Sequence, residues 1–323
     1  MVGNGSLRPL GLCLSGQVLG SDRFIWTREL LDGVVGIHGR LPAEVSGVCG
    51  IARSGLLPAS MLAVLRHLPL FSVGCCSVLA LGGGGRLSGV KLEAGPVAVI
   101  DDTVSSGWSM HSVEPLVKWW FPGREILRVA VFVRPQAAAE VDFYWAGLGG
   151  PHFLEWNFFN SGVGEGSATD FDGILCEEIS AVDDDDGPGY VRALEFARPL
   201  QLPRFRGVAG IVTGRLERYR GVTEGWLRRW GVRFGWLEMG PWGSAIERGG
   251  ASEVAQWKSG VLARRGPVRY VESDELQAAV IAASWPREVI CPAAGRVWNY
   301  TGFAGDVLAG GPRRAVGWPF GPD

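Results

Sequence analysis

Long apolar runs are missing from this chain. No stretch approaches 18 uninterrupted apolar residues, which excludes a membrane-spanning helix and with it a membrane partner. The opening MVGNGSLRPLGLCLSG has neither the apolar core nor the small-residue cleavage pattern of a secretory signal, so a soluble, unexported, cytoplasmic protein is expected. A surplus of charge is missing too. The 31 Lys plus Arg against 33 Asp plus Glu leave a formal charge of -2, which provides no global basic field for a nucleic acid. Any anionic ligand must be held locally. The six cysteines (Cys13, Cys49, Cys75, Cys76, Cys176, Cys291) make no CxxC pair and no disulfide-framework spacing, so reduced thiols are expected and a structural zinc site is not.

Glycine and tryptophan are plentiful. The 49 glycines and 19 prolines predict a loop-rich protein, and the 14 tryptophans predict packed cores. At about 150 residues per domain, 323 residues predict two domains. Residues 45–52, 56–68, 97–102 and 126–135 alternate strand and helix patterns, as do 166–178, 207–214, 218–232 and 268–274. The fold class is therefore α/β, with a domain over 1–150, a second over 151–305, and a Gly/Pro-rich tail over 306–323. The run Asp183 to Asp186 reads as a solvated loop.

The segment VAVIDDTVSSGWS (97–109) is an apolar strand, two acids, and a small-residue loop leading into a helix. Acids at the carboxyl end of a strand sit where open α/β sheets place ligands, and the loop offers hydroxyls and amides to a phosphate at a helix N-terminus. These residues resemble the 5-phosphoribosyl 1-pyrophosphate (PRPP) signature of type I phosphoribosyltransferases, including the orotate-specific ones. The resemblance implies that Asp101 and Asp102 bind the ribose hydroxyls and that Thr103, Val104, Ser105, Ser106, Gly107 and Ser109 cradle the 5-phosphate. GIARSGLLPASMLA (50–63) looks like the family's pyrophosphate loop, with Arg53 as the forked cation and Gly55 allowing close approach. LGGGGRLSG (81–89), with Arg86 and Lys91 nearby, reads either as the mobile flap of such enzymes or as a plain hairpin turn. Residues 1–45 match no acceptor-specificity pattern.

A second constellation begins at TDFDGILCEE (169–178), where Asp170 and Asp172 flank one loop and can converge. This motif resembles the DxDG start of haloacid dehalogenase (HAD)-like phosphatases. By that resemblance Asp170 is the nucleophile, Asp172 the general acid/base, Thr213 the phosphoryl-binding hydroxyl and Lys258 the neutralising cation. Mg2+ is implied, held by Asp170, by the carbonyl of Asp172, and by Glu272 or, second, Asp274; the sequence has Glu272, Ser273, Asp274 where the family usually carries paired aspartates. The short span from Asp172 to Thr213 implies a minimal cap. Arg215 and Arg218 read as a solvated helix face or as phosphate ligands, and His152 as structural.

The combined expectation is a bifunctional enzyme. It would transfer phosphoribosyl from PRPP to a nucleobase-like acceptor, releasing pyrophosphate, and remove a phosphate from the nucleotide or another phosphate ester. Two alternatives stand beside it: a HAD phosphatase with a ligand-sensing phosphoribosyltransferase domain, or a transferase with a degenerate, structural HAD domain. Trp119, Trp120 and Phe121 read as buried in the first domain or as a homodimer interface.

Overall fold

The computed structural model describes residues 11–19, 23–81, 92–149, 152–160, 162–180, 187–298 and 304–306. The chain divides into two compact units, Met1–Trp156 and Asn157–Asp323. The 82–91 flap segment with Arg86 and Lys91, the Asp183 to Asp186 run and the tail beyond 306 lie outside the described residues. No helix among the described residues is long and apolar enough to cross a membrane.

The first unit opens with β1 (Leu12–Cys13), β2 (Val18–Leu19), β3 (Arg23–Ile25) and α1 (Thr27–His38). There follow β4 (Gly47–Ile51), α2 (Leu56–Arg66), β5 (Leu70–Val73) and β6 (Val78–Ala80). The unit closes with β7 (Val97–Val104), α3 (Trp108–Trp120), β8 (Ile126–Val133), β9 (Phe143–Leu148) and β10 (His152–Leu154). Its main sheet runs β1-β9-β8-β7-β4-β5-β6, parallel from β1 to β5, with β2 also on β9 and β6 antiparallel. From β4 the chain turns to β5 on one side, then crosses back to β7 on the other. That reversal opens a crevice at the carboxyl ends of β4 and β7.

The two long strands explain themselves. Val97 to Ile100 and Leu127 to Val133 are buried, as expected of strands covered on both faces by helices. Helix α2 buries Pro58, Ala59, Leu62 and Ala63 along one stripe, and its Arg66 guanidinium donates to the carbonyls of His38, Leu41 and Pro42. That arginine ties the end of α1, a helix unsignalled in the sequence, to the end of α2. Trp119 and Trp120 are 75% and 42% exposed, and Phe121 alone is buried, because α3 turns only one stripe (Met110, Val113, Val117) to the sheet. Residues 152–156 belong to the first unit rather than leading the second. Strand β10 pairs with β3, and the Glu155 carboxylate accepts from Thr27 N at the start of α1.

In the second unit, α4 (Gly162–Glu165), β11 (Ser167–Thr169), α5 (Pro188–Phe196), β12 (Val208–Leu216) and α6 (Arg220–Arg229) come first. After them stand β13 (Phe234–Gly240), α7 (Ala245–Arg248), α8 (Ala251–Arg265), β14 (Arg269–Val271), α9 (Glu275–Ser284) and β15 (Glu288–Cys291). Two short strands, β16 (Arg296–Trp298) and β17 (Ala304–Asp306), end it. The sheet order is β13-β12-β11-β14-β15-β16-β17, parallel through β15 and antiparallel beyond. Here the reversal falls at β11, between β12 and β14. The span from Asp172 to Thr213 contains α5 as its helix among the described residues.

Leu62 is fully buried in the first unit's core while Val64, on the same helix, is 68% exposed. Leu62→Ala is expected to cost about 2–5 kcal/mol and Val64→Ala to stay within about 0.5 kcal/mol, read from denaturant midpoints.

Candidate functional sites

In the first unit, β7 runs buried as far as Asp101 and Asp102, which are 7% and 3% exposed. Asp102 N donates to Asp101 Oδ1 at 3.0 Å, and Thr103 N donates to Asp102 Oδ1 at 2.8 Å. Asp102 Oδ1 also accepts from Ser54 Oγ at 3.1 Å, and its Oδ2 accepts from Trp156 Nε1 at 2.6 Å. The loop after β4 is thereby tied to the end of β7. Gly55 lies against the same place: a Cβ there would meet the carbonyls of Ile51 and Ile100 at 2.6 and 2.8 Å and Asp101 Oδ1 at 2.9 Å. Burial first, and then the charge of Asp102, push the Asp101 carboxyl well above its ordinary range.

Beyond the acids, Val104 is buried, Ser105, Ser106 and Ser109 are exposed, and Gly107 adopts φ +78°, a left-handed conformation that favours glycine. Gly107 immediately precedes α3, so the helix's first amides open onto this loop. The Thr103 hydroxyl is buried without a hydrogen-bond partner. So is Arg134 Nε, on the residue after β8, whose own amide donates to Val104 O at 3.0 Å. Two unsatisfied donors beside a helix N-terminus suit an anionic or carbonyl-bearing ligand. Arg53 is exposed on the loop after β4, and Trp108 is exposed at the start of α3.

Trp156 and Arg134 were not singled out in the sequence. Trp156 lies 54 positions from its partner, and no spacing rule connects them. Arg134 follows the apolar run Val129 to Val133, and that abrupt charge was the available signal.

The second unit gathers its charges around β11. Asp170 follows β11, Glu272 follows β14, and Lys258 lies within α8 on the buried stripe that includes Val254, Ala255, Val261 and Leu262. Lys258 Nζ donates to Asp170 Oδ2 and to Glu272 Oε2, each at 2.8 Å, and all three side chains are buried. Burial alone would lower the lysine, but the Asp170 and Glu272 charges hold it above its ordinary value. Burial also favours neutral carboxyls, yet the ammonium keeps Glu272 below its ordinary range, whereas burial and then the Glu272 charge push Asp170 up.

Asp172 points elsewhere. Its carboxylate takes Arg215 Nη2 at 2.6 Å and Nε at 3.0 Å, a forked pair with the guanidinium stacked 3.8 Å from the Phe171 ring centre. Arg215 is 1% exposed, so the expected solvated helix face is replaced by a buried strand position. A register shift between Thr213 and Leu216 produces it: β12 does not end at Thr213 but bulges and continues, with the Thr213 hydroxyl accepting from Arg215 N at 3.2 Å. The charged residue inside GIVTGRL was the sequence signal for this pair. A cavity of about 340 Å3 opens over these groups, lined by Asp170, Asp172, Arg215, Arg248 and Lys258 among others.

The carboxylates of the four residues expected around Mg2+ have partners of their own, although the expectation for Asp172 rested on its main-chain carbonyl. Asp170 and Glu272 face one ammonium, Asp172 faces Arg215, and Asp274 caps α9 by accepting from Gln277 N at 2.7 Å. No group of three His, Cys, Asp or Glu among the described residues could hold a metal ion.

No protein-family profile matches the chain, and no curated protein does. Among solved structures, a purine phosphoribosyltransferase from Pyrococcus horikoshii Ot3 is 18% identical over 42% of this chain and 92% of its own, with a TM-score of 0.33. An orotate phosphoribosyltransferase from Aeropyrum pernix is 23% identical over 37% of this chain and 68% of its own (TM-score 0.30). The Helicobacter pylori xanthine-guanine-hypoxanthine enzyme is 13% identical over 42% and 91% (TM-score 0.33). Likeness this slight carries no function; the residues must.

Removing Lys258 strands two buried acids, so Lys258→Met is expected to cost about 3–5 kcal/mol in denaturant unfolding. The pH dependence separates the acids. Glu272 stabilises the fold above the ordinary carboxylate range and loses that contribution as pH falls. Asp170 works the other way: above its ordinary value of 3.8 the unfolded chain sheds a proton that the folded chain keeps, and stability declines with rising pH. Asp170→Asn should therefore gain on the wild type as pH rises from about 4 to 7, measured by paired denaturant midpoints.

Proposed function

We propose that the first unit binds PRPP and transfers its phosphoribosyl group to a nucleobase-like acceptor, releasing pyrophosphate. The observation that carries this reading is the buried Asp101–Asp102 pair at the end of β7, followed by the partnerless Thr103 hydroxyl and the amides at the start of α3. Acids beside a helix N-terminus suit a ligand with a diol at one end and a phosphate at the other. Asp102 is already oriented by Ser54 and Trp156, and Thr103, Ser105, Ser106, Gly107 and Ser109 surround the phosphate position. Arg53, exposed on the loop after β4, would draw off pyrophosphate, and Arg134 Nε can donate to an oxygen of the bound ligands.

Breaking the bond from C1 to pyrophosphate builds positive charge on the sugar, so rate depends on holding the leaving group and the acceptor in line and keeping water out. Asp101 and Asp102 hold the ribose hydroxyls, and the loop fixes its 5-phosphate.

For the second unit a specific observation favours binding over hydrolysis. Phosphoryl transfer requires an Asp170 carboxylate free to attack and an Asp172 free to move a proton, whereas Asp170 Oδ2 accepts from Lys258 Nζ and Asp172 is forked onto Arg215. The cavity over Lys258 and Arg248 suits a phosphate ester held without turnover, in line with a transferase carrying a degenerate HAD-like unit.

Incubation with PRPP and a panel of bases should give pyrophosphate release that depends on one base. Asp101→Asn/Asp102→Asn should lower that rate on the order of a hundredfold or more. No release with any base, with PRPP still bound, would turn the first unit into a sensor. Hydrolysis of any phosphate ester that is lost in Asp170→Asn would overturn the binding reading of the second.

A further inference from the structure

The hairpin between β5 and β6 carries two adjacent cysteines, Cys75 and Cys76, both exposed, with their sulfurs 3.2 Å apart. The other cysteines are placed differently. Cys49, Cys176 and Cys291 are buried, and burial pushes the Cys49 and Cys291 thiols up to about 12, which leaves them inert. Cys13 is half-buried, with its sulfur 3.5 Å from the Trp145 carbonyl. No third soft ligand joins the pair in a metal-holding group among the described residues. Two thiols alone suit a reagent that needs two.

Position gives the pair a consequence. Strand β5 lies beside β4, and at their common end Ala52 N donates to Val73 O at 2.8 Å. Ala52 begins the loop that contains Arg53, Ser54 and Gly55. Gly74 N donates to Ser77 O at 3.0 Å and closes the hairpin one residue beyond Val73. The cysteines sit between those two residues.

We infer that Cys75 and Cys76 form a dithiol modification site, converted by a low-molecular-weight disulfide such as oxidised glutathione into an intramolecular disulfide that loosens the Ala52–Gly55 loop. One cysteine thiolate attacks the glutathione disulfide, expelling one glutathione thiolate and leaving a mixed disulfide. The neighbouring thiolate then attacks the protein sulfur of that bond and expels the second glutathione. Two electrons pass from the pair to glutathione, and the two thiol protons end on the two glutathiones. Adjacent Cα atoms lie about 3.8 Å apart, short of the roughly 4.4–6.8 Å that disulfides ordinarily bridge. Closing this bond must therefore reshape residues 74–77, and with them the carbonyl that holds Ala52. The effect on ligand rests on the phosphoribosyl reading of the first unit; the modification itself does not.

The full-length reduced protein is treated with oxidised glutathione and followed by peptide mass mapping, amide hydrogen exchange over residues 48–56 and PRPP binding. The 75–76 peptide is expected to lose two hydrogens without retaining glutathione, exchange at 52–56 to rise about tenfold, and PRPP binding to weaken by a similar factor, all reversed by dithiothreitol. Cys76→Ser should retain glutathione on Cys75 and show none of the reversible closure. Glutathione retained on the wild type, or a disulfide formed with unchanged exchange at 52–56, overturns the inference. If the reduced protein fails to bind PRPP, the phosphoribosyl reading falls instead, and the mass and exchange results still decide the pair.

Discussion

Burial of charge at the carboxyl edge of a parallel sheet is the constraint on which both units depend. Strands that are covered on both faces are apolar along their length, so polar groups collect where the strands end and the helices begin. Each buried charge there needs a partner, because leaving it unpaired costs far more than the pairing returns. Asp102 is satisfied by Ser54, by the amide of Thr103 and by Trp156; Asp170 and Glu272 are satisfied by Lys258; Asp172 is satisfied by Arg215. These pairs fix which loops meet at each crevice.

The two crevices use that constraint in opposite ways. In the first, the acids are oriented, but the Thr103 hydroxyl and Arg134 Nε are buried without partners, which leaves binding capacity unspent. In the second, the charges satisfy one another: one ammonium between two acids, and guanidinium against carboxylate. An arrangement like the second must break internal pairs before its charges can meet another group, whereas the first need not.

Much of the fold was legible because the apolar strand runs at 45–52, 97–102, 126–135 and 207–214 stand out against glycine-rich loops, and the structure has strands at each. Helix α1 was not legible, since its stripe of Leu30, Val34 and Ile37 lies in a region without motif context. Of the sites, Asp170, Lys258 and Glu272 do meet, although they are 88 and 14 residues apart in sequence, because each ends or faces one of the strands around β11. The partners of Asp172 and Asp274 were not legible for local reasons: a bulge in β12 brought a guanidinium to one, and a helix start engaged the other. Trp156 was invisible because a long-range hydrogen bond leaves no periodic trace.

The indole of Trp156 also sets a lower limit on the size of the first unit. It is that unit's last residue, and its donor reaches an acid on β7, deep within the sheet. A fragment ended at residue 150 would lose β10 from its pairing with β3, the Glu155 carboxylate from the start of α1, and one of the donors on Asp102. The unit therefore extends past the last strand of its main sheet, to the indole that holds Asp102.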